Sequence, residues 1–118
     1  MEILIAADKA IADLLEESIT LWGHSVVKTR SADHAMRLLR RKSYDVVITD
    51  AEKCGKMGFE LCVSVRSRFP HMFVIGITGS IDILKFLDSG ADAVFKKPLH
   101  MVELYSVLST FNMTLRNN

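Results

Sequence analysis

The sequence predicts an α/β domain built on a parallel sheet, and three features point that way. Short apolar runs rich in β-branched residues alternate with longer stretches of helical spacing. Within the short runs the apolar residues are consecutive, as in Val46-Val47-Ile48 and Phe73-Val74-Ile75, which is the pattern of strands covered on both faces. Several of the runs end on a carboxylate, a hydroxyl or an ammonium, at the edge where open parallel sheets bind their ligands.

Taken in order, Glu2 to Ala7 reads as the first strand and ends at Asp8. From Lys9 the period becomes helical, with Ile11, Leu14, Leu15, Ser18, Ile19 and Trp22 on one stripe and Gly23 as the stop. Ser25 to Thr29 is a second strand. Ser31 caps a helix through about Lys42, with Ala35, Leu38 and Leu39 inward and Arg37, Arg40, Arg41 and Lys42 outward. That basic run reads as a solvated face, with phosphate binding as the alternative. Tyr44 to Asp50 is the third strand, followed by a polar loop (Glu52, Lys53, Gly55, Lys56, Gly58). A helix from about Phe59 to Arg68 buries Leu61, Val65 and Cys62, and Pro70 closes it. Phe73 to Thr78 is the fourth strand, Ile83 to Asp88 a short helix ended by Gly90, and Ala93 to Lys96 the fifth strand. A final helix runs from about Met101 to Met113 on Val102, Leu104, Tyr105, Leu108 and Phe111, leaving Leu115 to Asn118 as a frayed tail.

Composition narrows the function classes. At 118 residues, 1–118 reads as one domain with no linker, repeat or low-complexity segment. A formal net charge of +1 creates no global field toward nucleic acid or an anionic membrane. Cys54 and Cys62 are not spaced as a metal or redox pair, which suits a reduced, cytoplasmic setting. No stretch approaches a membrane span, and the first residues are wrong for a signal peptide. There is no phosphate-binding P-loop, no dinucleotide glycine turn and no Ser or Cys nucleophile with a base, so an enzyme is not expected. His24, His34, His71 and His100 have no ligand-like spacing.

The residues at the carboxyl ends of the strands form the candidate site. Asp8 follows the first, Asp50 ends the third, Thr78 ends the fourth, and Lys97 follows the fifth. In a flavodoxin-like order 2-1-3-4-5, with helices on both faces, these four would converge at the switch point between the first and third strands. Two carboxylates suit Mg²⁺, one carboxylate can become an acyl phosphate, and a hydroxyl and an ammonium can hold phosphoryl oxygens. The competing readings are local: Asp50 as a cap or turn residue, Asp8 as the N-cap of the first helix, Thr78 as a strand-end hydroxyl.

Six segments carry a more specific resemblance: Ile-Leu-Ile-Ala-Ala-Asp at 3–8, Tyr-Asp-Val-Val-Ile-Thr-Asp at 44–50, Gly-Phe-Glu-Leu at 58–61, Ile-Thr-Gly-Ser at 77–80, Gly-Ala-Asp at 90–92 and Lys-Lys-Pro-Leu at 96–99. In that order and spacing, the chain resembles a receiver domain of the bacterial two-component response regulators, the superfamily that includes the chemotaxis regulators. The resemblance implies that Asp50 is phosphorylated by a sensor histidine kinase or phosphotransfer protein. It further implies that Asp8, Asp50 and the backbone carbonyl of Glu52 ligate Mg²⁺, that Thr78 and Lys97 engage the phosphate, and that Lys97-Pro98 is cis. The output is then a switched surface around Val94 to Ser106 for a downstream effector protein, with no direct contact to nucleic acid or membrane.

Three positions depart from the family pattern. Ala7 replaces one member of an acidic pair, leaving a partly degenerate pocket and weaker Mg²⁺ binding. Val94 stands where an aromatic ring usually switches, so the readout must differ or Phe95 must contribute. Cys54 stands where proline often shapes the loop. The alternative function is therefore a pseudo-receiver, a docking module that works without phosphorylation.

Overall fold

The structure, a computed structural model, describes residues 1–50, 56–79 and 83–117. Strands β1 (Glu2–Ala6), β2 (Ser25–Thr29), β3 (Val46–Asp50), β4 (Phe73–Thr78) and β5 (Ala93–Lys96) alternate with helices α1 (Lys9–Leu21), α2 (Ala32–Arg41), α3 (Lys56–Arg68), α4 (Ile83–Asp88) and α5 (Met101–Arg116). All neighbouring strands pair in parallel, in the order β2-β1-β3-β4-β5. This is the flavodoxin-like arrangement expected from the sequence.

The central strand shows why consecutive apolar residues are needed. Every residue of β3 is buried. Val46 and Ile48 join a cluster with Ile3, Ile5, Leu15 and Leu108 on the α1/α5 face. Val47 points the other way, into a cluster with Leu61, Val65 and Phe86 beneath α2, α3 and α4. Successive side chains of a strand face opposite sides, so a strand covered twice has no position for a polar residue until its end.

Local chemistry sets most boundaries. The Ser31 hydroxyl accepts the His34 N–H at 3.2 Å and starts α2. After α1, Gly23 (φ +93°) donates to the Thr20 carbonyl while His24 donates to Ile19, a left-handed stop that glycine adopts without strain. Gly90 (φ +107°) ends α4 in the same way.

Some expectations are corrected. α3 begins at Lys56 rather than Phe59, and α5 continues to Arg116, so Leu115 and Arg116 are helical rather than frayed. No proline or glycine interrupts 114–117, and the Phe111 ring stacks on Phe73 at 4.4 Å, holding the end of the helix to the sheet. Leu14, Val102 and Tyr105 are 45%, 79% and 49% exposed, because the buried stripes are narrower than the apolar pattern. Ala12, Leu15 and Ile19 face the sheet from α1. Tyr105 instead packs edge-on against Trp22, ring centroids 5.1 Å apart.

Candidate functional site

Strand register brings the strand-end residues together. Ala6 pairs with Thr49, Asp50 with Ile77, and Thr78 with Lys96, so the last residues of β1, β3, β4 and β5 lie along one edge of the sheet. The Lys97 N–H then donates to the Thr78 carbonyl at 2.8 Å, fixing the chain as it leaves β5. Lys97-Pro98 is cis.

From there the Lys97 side chain crosses β4 and sets its Nζ 2.9 Å from Oδ2 of Asp50. The Asp50 side chain is fully buried, whereas that of Lys97 keeps 23% of its exposure. A carboxylate taken out of water needs a charged or hydrogen-bonding partner, and the ammonium supplies it. Thr78, also fully buried, lies one residue beyond Ile77, the register partner of Asp50.

Asp8 does local work as well. Its Oδ1 accepts the Ile11 N–H at 3.0 Å, so it is the N-cap of α1. The cap and a place at the carboxyl end of β1 are compatible, because a capping aspartate has two oxygens. Beside it, Asp13 is held down to about 2 by hydrogen bonds from Lys28 and Lys9.

Ala7 is fully buried and belongs to the isoleucine-rich α1/α5 cluster, its N–H bound to the Thr29 carbonyl at 3.1 Å. Among the described residues no group of three or more His, Cys, Asp or Glu side chains gathers to hold a metal. The donor set there, Asp8 with Asp50, is all oxygen and fits a hard divalent cation with one carboxylate fewer than the family pattern. Glu52 and Cys54 lie outside the described residues.

The Val94 question is settled by alternation along β5. Val94 packs into the α3/α4 cluster, while Phe95 is buried on the opposite face among Ile77, Leu104 and Leu108. Phe95 therefore cannot stand in for a ring at Val94. What occupies that side is Phe86 of α4, seated on Gly76 and against Phe59 at 4.5 Å between centroids. A Cβ at Gly76 would come within 2.6 Å of the Phe86 ring, so only glycine admits it.

Sequence reasoning missed the roles of Arg66 and Asp92. Arg66 donates to the Gly90 carbonyl at 3.0 Å through Nε and to the Pro70 carbonyl at 2.8 Å, and it pairs with Asp92. The same Asp92 oxygen accepts the Val74 N–H at 2.8 Å. Asp92 in Gly-Ala-Asp is thus a structural staple, and nothing local in the sequence announces its partner in α3. Thr49 Oγ1, buried beside Asp50, makes no hydrogen bond among the described residues. Burial pushes the Cys62 thiol up to about 11, leaving it unreactive at neutral pH.

The chain is similar to several known proteins. Transcriptional regulatory protein AfsQ1 of Streptomyces coelicolor is 34% identical over 99 residues, covering 82% of this chain and 44% of the relative. The uncharacterized transcriptional regulatory protein YrkP of Bacillus subtilis is 32% identical over 106 residues, covering 88% and 46%. The chain thus spans less than half the length of these relatives. A two-component response regulator from Clostridium difficile superposes with a TM-score of 0.89, covering 98% of each chain at 23% identity, a likeness that bears on the fold. The family model for the response regulator receiver domain matches residues 3–109, so the strand-end cluster sits in a chain that belongs to that family, the receiver domains of two-component systems.

Proposed function

We propose that residues 1–118 form a single phosphoacceptor domain in which Asp50 takes a phosphoryl group from the histidine of a sensor kinase or phosphotransfer protein. One carboxylate oxygen of Asp50 attacks phosphorus, the new P–O bond forms as the P–N bond breaks, and the imidazole leaves. Lys97 positions the carboxylate beforehand and neutralises a phosphoryl oxygen afterwards; the Thr78 hydroxyl takes another. Asp8, Asp50 and the Glu52 carbonyl would hold Mg²⁺, whose chemistry is to neutralise phosphate charge during transfer. The modified domain then favours one of two surface states, read by a downstream effector in the cytoplasm. The observation that carries this reading is the 2.9 Å contact of Lys97 with a fully buried Asp50 at the strand ends.

Incubation with acetyl phosphate or phosphoramidate and Mg²⁺ tests it by intact mass. One added phosphoryl group is expected, and none in Asp50→Asn. Absence of the adduct, or an equal adduct in the variant, removes the proposal.

One observation favours a second reading, a docking module without phosphorylation. The Ala7 methyl is wholly buried among apolar side chains at a position where the family carries a pocket acid. Under that reading the adduct does not form, and partner binding is the same in Asp50→Asn.

A further inference from the structure

The end of the sheet opposite Asp50 holds a groove of about 690 Å³, within the size range of ligand sites. Its floor is apolar, with Tyr44, Phe69 and Met72, and its rim carries Arg40 and Arg41 from the last turn of α2 and Arg68 from the last turn of α3. All three arginines are exposed, and among the described residues none has an ion-pair partner. Neighbouring charges, by contrast, are already engaged. Lys42 pairs with Glu2 at 2.9 Å, Asp45 accepts the Glu2 N–H at 2.8 Å, and Arg66 is spent on Gly90, Pro70 and Asp92. Cations in a last helical turn offset the helix dipole, which accounts for the sign of the rim. It does not account for three uncompensated guanidiniums around one apolar trough.

We propose that this groove docks a segment of a partner protein in which acidic and apolar side chains alternate. Guanidiniums bind carboxylates with paired, directional hydrogen bonds, and the floor takes the apolar side chains between them. Nucleic acid fits less well, because a chain of net charge +1 gathers little field for a long polyanion, and the one lysine of the lining, Lys42, is already paired with Glu2. A second copy fits less well too: of the three acidic residues of α1, Asp13 and Glu16 are already paired with Lys9 and Lys28, and Glu17 by itself offers no series of carboxylates for three guanidiniums. Tyr44 and Asp45 lie at the opposite end of β3 from Asp50, roughly 17 Å away at the rise of a strand. Docking here is therefore independent of the state of Asp50.

The test is fluorescence anisotropy of the full chain with a labelled peptide alternating glutamate and leucine, against a control with lysine for glutamate. Saturable binding of the acidic peptide alone is expected, weakening as salt rises. Arg40→Glu with Arg41→Glu, or Arg68→Glu, should weaken it about tenfold or more with an unchanged circular-dichroism spectrum. Asp50→Asn should bind as tightly as the native chain, even if no phosphoryl adduct ever forms. The proposal is overturned by absent binding, equal binding of the lysine peptide, or no loss in the arginine variants. It is equally overturned by tighter binding of a single-stranded oligonucleotide, by a dimer that the arginine variants dissociate, or by loss of binding in Asp50→Asn.

Discussion

Lys97 Nζ stands 2.9 Å from Oδ2 of Asp50 although a whole strand, β4, runs between β3, which ends on Asp50, and β5, which Lys97 follows. The contact is long in sequence and short in space, and it neutralises a carboxylate that water does not reach.

Removing the ammonium takes a charged partner away from a fully buried carboxylate. Lys97→Met should cost about 2 kcal/mol in urea unfolding, less than for a fully buried pair because Lys97 is partly exposed. Adding Asp50→Asn should restore most of that loss. Additive penalties in the double variant would mean that Lys97 contributes something other than this pair.

Asp8 has two separable jobs. Asp8→Ala should lose about 1 kcal/mol of stability with the α1 cap, while Asp8→Asn keeps the cap and most of the stability. Both should weaken Mg²⁺ binding measured by calorimetry. Native-like Mg²⁺ affinity in either variant would remove Asp8 from the proposed ligand set.

Ala7→Asp should restore a pocket carboxylate in a fully buried position. Without metal the variant should be less stable by about 2 kcal/mol, since an unpaired buried acid is costly. With Mg²⁺ it should recover, and its affinity should exceed that of the native chain by about an order of magnitude. Unchanged affinity would mean that the missing carboxylate is not what limits the site.

The Thr49 hydroxyl is buried without a hydrogen-bond partner among the described residues. Replacement by the isosteric Val removes that unpaired group and should raise stability by about 1 kcal/mol, seen as a higher Tm. A lower Tm would show that the hydroxyl is satisfied in solution.

The elements were legible because their signals are local. Ser31, Gly23 and Gly90 mark helix ends through hydrogen bonds within a few residues of themselves. The candidate site was legible because polar residues closed apolar strands at Asp50 and Thr78. The errors share a cause. Leu14, Val102 and Tyr105 sit on apolar stripes but outside the width that the sheet covers, and that width depends on helix orientation. For Val94 two readouts were open, a different one or a contribution from Phe95, and strand alternation puts Phe95 on the other face.

What the linear chain decided is which residues end each strand and where each helix begins and stops, because side-chain period and capping are short-range chemistry. Folding in three dimensions decided who meets whom. Lys97 finds Asp50, Arg66 clamps Gly90 and Asp92, Phe86 seats on Gly76, and three arginines from two helices ring one groove. Each of those meetings depends on strand order and register, which are set by burial over the whole domain and are written in no single stretch of sequence.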